Sequence, residues 1–399
     1  MKQTDPYFQK LIEKLLQKKN NLGGFLFNAN TILEINLVRS LIDIDCDDIH
    51  VLKTLQLGDE KSLIDKDYFE KTLKEVISDP EVKDEKTTWE IIIPFEIRTS
   101  FKELNLNSTK FQIINFKTLK SNFPTLYYYS FQGQIIESKE INNSKIKYLV
   151  VESKGSTLLK AWKRIEPSFS ILRGIIDFNL SYNRWITYFK PEERTSIPHP
   201  EVIFGISKSK ENTFLTFMTQ HKNSNIKTLT LKDNPYFRKL INFLSSSYKG
   251  KSTQELLSDI FRLYSKAMDE ADLPYCYLIF WQIAERISLA DQGGTINEQV
   301  KRKLLFYTEP NDEYNLKSYF DKLSTKRNKL VHRGIDIIEE SDLNILKSIC
   351  DYAILWIFKN RKSIKSINHL ESFYMLRDKS STELSTYSDI VNFIKKNRK

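Results

Sequence analysis

From about Asn234 onward, apolar residues recur at three- and four-residue steps. Before that point such stretches are interspersed with others where they alternate or run together between polar clusters. The first pattern predicts amphipathic helices and the second predicts strands, so the chain reads as α+β. A mixed N-terminal region precedes an all-α C-terminal part. At the start, Phe8, Leu11, Ile12, Leu15 and Leu16 predict a helix over 6–20, ended near Asn20-Asn21 and Gly23-Gly24. Ile32 to Ile44 fits either a strand or a helix. Asp67 to Ser78 predicts a helix, and Asp79-Pro80 with the charges up to Lys86 predicts a linker. Strands are expected at Trp89–Ile93 and Phe95–Ile97, with Pro94 interrupting them, and at Phe111–Thr118, Thr125–Ser130 and Lys147–Glu152. After Gly155-Ser156, Leu158, Leu159, Trp162, Ile165, Phe169, Leu172 and Ile176 keep helical spacing. Pro167 should kink that helix or begin another. Val202–Ile206 and Asn212–Met218 complete the strands. Boundaries near 86 and 233 then give three parts: 1–86, 87–233 and 234–399.

The last part reads as four helices with short links, a bundle. Ser252-Thr253-Gln254-Glu255 is a capping box ahead of the stripe Leu256, Ile260, Leu263, Ala267. Leu273-Pro274 opens a helix over 274–291 that is apolar nearly all round, which places it centrally, with Gly293-Gly294 as its end. A short helix over 296–307 leads to a long one over 313–332, and a last one covers 340–361. The basic C-terminus, Lys395, Lys396, Arg398 and Lys399, reads as a frayed tail.

Near the end of the third long helix stands Arg327-Asn328-Lys329-Leu330-Val331-His332, then Arg333-Gly334. A guanidinium can hold a phosphate with a planar fork, and an imidazole exchanges protons near neutrality. Asn328 and His332, four residues apart, share a helix face, so the amide can orient the ring. Gly334 is a natural residue just past a helix end, which places His332 in the last turn. Read alone, the same residues are a solvated arginine and a C-terminal cap. Glu285, on the apolar helix beside Leu278, Trp281 and Leu289, needs a partner, and Arg327 is the obvious one. The pair can be a bundle salt bridge, a support for Arg327 in catalysis, or both.

Arg-Asn-x-Leu-Val-His-Arg-Gly between two helices resembles the Arg-x4–6-His signature of HEPN domains, and among them the Apea-like HEPN group. The resemblance spans roughly Ser245 to Leu376. It implies a HEPN-like four-helix bundle and a metal-independent endoribonuclease. His332 would act as general base or general acid, Arg327 would stabilise phosphoryl charge, and Asn328 would orient His332 or touch the phosphate. Glu285 would position Arg327. It further implies RNA, often tRNA, as substrate, a homodimer or higher oligomer through the bundle, and a role in antiphage defence, abortive infection or toxicity. The N-terminal two-thirds would then sense a trigger or select the substrate. The competing class is a catalytically silent HEPN module that binds RNA or a protein partner. A basic DNA-binding regulator is a third, without helix-turn-helix spacing to support it.

Composition narrows this little. The chain has 399 residues, 40% hydrophobic and 12% aromatic, enough for two or three domains. A net charge of +10 and a pI of about 9.1 suit a polyanionic partner or a lysine-rich surface. Lys160, Lys163, Arg164, Arg173 and Arg184 fit either a phosphate-tracking row or a solvated face. Tyr127, Tyr128 and Tyr129 fit a core strand or base stacking. No apolar run matches a membrane span and no signal peptide is evident. Cys46, Cys276 and Cys350 read as reduced thiols of a cytoplasmic protein. Asp45, Asp47, Asp48 and His50 suggest an acidic loop or a metal cluster. No cofactor motif is visible, and the expected cofactor set is none.

Overall fold

A computed structural model describes residues 6–17, 34–35, 37–38, 41, 51, 54–55, 59, 62–78, 87–95, 97–123, 147–155, 158–182, 184, 202–207, 214–218, 229–231, 235–245, 252–289, 296–307, 313–377 and 379–397. The acidic group 45–50, the linker 79–86 and the tyrosine run 127–129 lie outside these, as does most of Ile32–Ile44. The chain divides into two compact units, Met1–Thr87 with Lys154–Thr157, and Thr88–Ser153 with Leu158–Lys399.

The first unit holds α1 (Pro6–Gln17) and α2 (Lys66–Ser78). As its apolar spacing predicts, α1 buries Phe8, Leu11, Ile12 and Leu15. Phe8 meets Phe69 of α2 edge-on at 5.4 Å, and both join one cluster with Ile35, Val38, Val51, Leu55, Leu63 and Leu73.

The second unit is α+β. Its strands are β1 (Thr88–Phe95), β2 (Ile97–Arg98), β3 (Glu103–Leu106), β4 (Thr109–Asn115), β5 (Lys147–Lys154), β6 (Val202–Ser207), β7 (Phe214–Met218) and β8 (Leu229–Thr230). Six form a sheet in the order β3-β4-β5-β1-β6-β7, while β2 and β8 pair in parallel. Pro94 does not break β1 as expected. It lies beyond the stretch Trp89–Ile92 that pairs with β6, and β1 continues through it to Phe95. The expected strand at 111–118 stops at Asn115, whose side chain accepts from the Thr118 N–H at 2.8 Å and starts α3 (Phe116–Asn122). The β3–β4 hairpin was not anticipated. Asn107 and Ser108, both at positive φ, make its two-residue turn.

Side chains alternate across the sheet. Ile91, Ile93, Leu149, Val151 and Ile203 face the main core, and Ile92, Tyr148, Val150 and Ile206 face Leu119 and Phe123. α4 (Leu158–Ser181) packs in that main core. It runs unbroken through Pro167, so no second helix begins there. The Ser153 hydroxyl donates to the Ala161 carbonyl at 2.8 Å, tying β5 to this helix.

The helices that follow are α5 (Pro235–Ser245), α6 (Thr253–Asp269), α7 (Leu273–Ser288), α8 (Ile296–Leu304), α9 (Glu313–Arg333), α10 (Glu340–Lys359), α11 (Ile367–Arg377) and α12 (Ser381–Asn397). A 3-10 turn at Leu305–Tyr307 extends α8. Gly174 lets α4 and α6 touch backbone to backbone, since a Cβ there would lie 1.8 Å from the Phe261 carbonyl oxygen. α7 ends at Ser288, before Gly293-Gly294, because Leu289 takes the left-handed conformation that closes it. Of the expected frayed tail, Lys395 and Lys396 lie in a helix that runs to Asn397, begun by a reciprocal Ser380/Glu383 capping box, and Arg398 and Lys399 lie outside the described residues.

Buried polar groups join α4, α6 and α10. Lys347 Nζ donates to Asp351 at 2.6 Å and to the Ser181 carbonyl at 2.7 Å. The Tyr264 hydroxyl donates to Asp351 at 2.9 Å and pairs with Ser181 Oγ at 2.8 Å. Burial first, and then the Asp351 charge, push the Tyr264 phenol well above its ordinary value, so it remains a donor. Arg173 belongs to neither the phosphate row nor the solvated face expected of it, being buried and paired with Asp269 at 2.8 Å. Among the described residues, no helix is long and apolar enough to cross a membrane.

Candidate functional site

The helix α9 buries Phe320 and Leu323, with Leu330 packed beside them. The Tyr277 hydroxyl of α7 donates to the Leu323 carbonyl at 2.8 Å, which fixes α9 against the central helix. Burial pushes the Tyr277 phenol up, with Asp342 adding to the effect and Arg327 opposing it. Gly334, at φ 63°, ends α9 as expected, its N–H bonded to the Leu330 carbonyl at 3.0 Å. His332 is therefore in the last turn, where it is exposed and makes no side-chain hydrogen bond to a described residue.

Residues on a helix advance about 100° each, so Arg327 lies beside the buried stripe and His332 about 140° away. Arg327 turns toward α7. Its Nη2 donates to Glu285 Oε1 at 3.4 Å, and the same oxygen accepts from Trp281 Nε1 at 2.9 Å. The structure thus brings Glu285 and Arg327 together. Their side chains are 26% and 22% exposed and the contact is long, so the pair adds at most about 1 kcal/mol to stability. Its effect is to set an angle for the guanidinium.

Asn328 does not orient His332. Its Oδ1 accepts from Arg327 Nη1 at 3.3 Å and from Asn297 Nδ2, on α8, at 3.2 Å. Both lone pairs are then used, by Arg327 and Asn297 and not by the ring four residues on. Asn297 was not identified from the sequence, where no local pattern ties it to a residue so distant. Two atoms of this cluster are buried without a hydrogen-bond partner, Arg327 Nε and Asn297 Oδ1. Each such group costs about 1–3 kcal/mol, so the cluster is not optimised for stability.

The turn after the motif is held from below. Lys326, almost buried, bonds Asp342 at 2.5 Å and reaches Glu339 at 3.7 Å, and Asp342 accepts from the Glu339 N–H at 2.9 Å. This ties the start of α10 to α9. Val331, Ile335 and Ile337 stand exposed around the motif end. Among the described residues, no group of three or more His, Cys, Asp and Glu could hold a metal ion.

No protein family, curated protein or solved structure matches this chain.

Proposed function

We propose that the chain is a metal-independent endoribonuclease whose helical part is a HEPN-like bundle. One observation carries the reading: a partly buried guanidinium and an exposed imidazole lie five residues apart at the C-terminal end of one helix. Arg327 has five N–H donors. One on Nη2 goes to Glu285, one on Nη1 goes to Asn328, and Nε–H is buried. Each terminal nitrogen keeps one more, the pair needed for two phosphoryl oxygens.

In the proposed reaction the ribose 2′-oxygen attacks the adjacent phosphorus and the bond to the 5′-oxygen breaks. A base takes the 2′ proton and an acid gives one to the leaving oxygen. His332 fills one of these roles. Arg327 stabilises the charge that grows on the phosphoryl oxygens, and Asn328 contributes its amide N–H groups to the phosphate. Glu285 holds Arg327. The products are a 2′,3′-cyclic phosphate and a 5′-hydroxyl. DNA lacks the nucleophile and stays intact. Following the resemblance, RNA, often tRNA, is the substrate class and antiphage defence, abortive infection or toxicity the setting.

Incubating purified protein with total RNA in EDTA, and mapping the new ends, tests this. Cyclic-phosphate and 5′-hydroxyl ends are expected. RNA retained without cleavage would favour a silent binding module, and cleavage only with an added divalent ion would refute the chemistry.

The reading includes a homodimer with a shared cleft. One motif offers a single histidine, whereas in-line cleavage uses an acid and a base. Two α9 ends meeting across a two-fold axis supply both, and Val331, Ile335 and Ile337 offer apolar surface for that contact. Excess His332→Ala chains, once exchanged with wild type, should lower activity below simple dilution. A monomer at assay concentration that cleaves at full rate would refute the shared cleft.

A further inference from the structure

Asn297 stands outside the motif, yet it is the residue on which the motif's amide is hung. Asn328 Oδ1 accepts two bonds, from Arg327 Nη1 on its own helix and from Asn297 Nδ2 on α8. With both lone pairs engaged, the plane of the amide is fixed. Its NH2 group is thereby turned away from Arg327 and makes no hydrogen bond to a described residue. Remove the Asn297 donor and the Asn328 amide can turn over. Its NH2 would then face the guanidinium, donor against donor, and Arg327 Nη1 would lose its acceptor.

We propose that Asn297 is a positioning residue of this site: by donating to Asn328 Oδ1 it fixes which way the Asn328 amide points and so the angle at which Arg327 is held. The role rests on the ribonuclease reading for its catalytic consequence, but the geometric claim does not. A second observation accompanies it. The side-chain oxygen of Asn297 is buried with no hydrogen-bond partner among the described residues, so the bond this amide makes there is the one its NH2 donates to Asn328. Asn297 therefore gives its donor to the site and leaves its acceptor unsatisfied.

The variants Asn297→Ala, Asn297→Ser and Asn297→Asp test this in the full-length chain. Aspartate is nearly the same shape but cannot donate. A packing role ranks it as the mildest change, whereas a positioning role ranks it with alanine, and serine, which keeps a donor, between these and wild type. The expected result is at least a tenfold fall in kcat for Asn297→Ala and Asn297→Asp, with a melting temperature unchanged or raised for Asn297→Ala. A direct readout comes from spectra of protein labelled with 15N at asparagine, with Asn328 assigned by Asn328→Ala. Its side-chain NH2 signals should shift or double in Asn297→Ala and Asn297→Asp. Unchanged Asn328 signals in both variants overturn the proposal whatever the activity. If the signals move but wild-type protein cleaves no RNA, the ribonuclease reading falls and the positioning role stands.

Discussion

His332→Ala should lower RNA cleavage by about 10²- to 10⁴-fold, the usual loss when a proton-transfer group is removed. The same change should barely affect folding. His332 is exposed, makes no side-chain hydrogen bond to a described residue and lies past the buried stripe of α9. Its one structural contribution, a cation near a helix C-terminus, is worth about 0.3–1 kcal/mol when protonated. Gel-based cleavage rates beside a thermal melt check both halves. A variant that cleaves at the wild-type rate removes His332 from the chemistry. A variant that loses cleavage only because it unfolds would show that the last turn of α9 is structural.

The largest effect on stability is expected at Lys347. Lys347 and Asp351 are each 1% exposed, and the lysine also holds the Ser181 carbonyl. Lys347→Met keeps an unbranched apolar chain and removes the charge, so the buried Asp351 carboxylate loses its ammonium partner while the Tyr264 hydroxyl still donates to it. An uncompensated buried charge costs about 3–5 kcal/mol. In a unit of this size that lowers the melting temperature by on the order of 10 °C. The double variant Lys347→Met/Asp351→Leu should recover part of the loss, because burying two apolar groups is often cheaper than burying one ion. Melting curves for the two variants decide it. A single variant as stable as wild type would mean that water reaches Asp351.

The amphipathic helices were legible because their signals are local. The spacing of Phe8, Leu11, Ile12 and Leu15, the cap at Ser252 and the Leu273-Pro274 start each act within a few residues. Glu285 with Arg327 was legible for a similar reason, since a carboxylate on an apolar helix must find a cation. Asn328 misled because helical spacing shows which residues can meet, not which bond wins. Asn297 and Arg327 outcompeted the ring four residues on. Asn297 itself had no local signature, and its contact depends on how α8 packs beside α9. The end of α7 was misplaced because glycine is the usual terminator, and here a leucine takes the left-handed position. Asn115 and the Ser380/Glu383 box are local signals too, but each was masked by its setting, a β-rich run in one case and a basic tail in the other.

The C-terminal helix α12 leaves Leu384, Tyr387, Ile390, Val391, Phe393 and Ile394 exposed. A helix of 17 residues that buries no face is near the length at which helix and coil are balanced in water. Its population therefore depends on how well its ends are capped. The Ser380 backbone N–H, then Lys379 and the Ser380 hydroxyl, hold the Glu383 carboxyl below its ordinary value. The cap is at full strength above the value Glu383 has in the coil, and it fades as pH falls through the lowered one. Salt weakens the Lys379–Glu383 pair in the same way. On heating, α12 should unwind gradually over a broad range, out of step with the cooperative melting of the core.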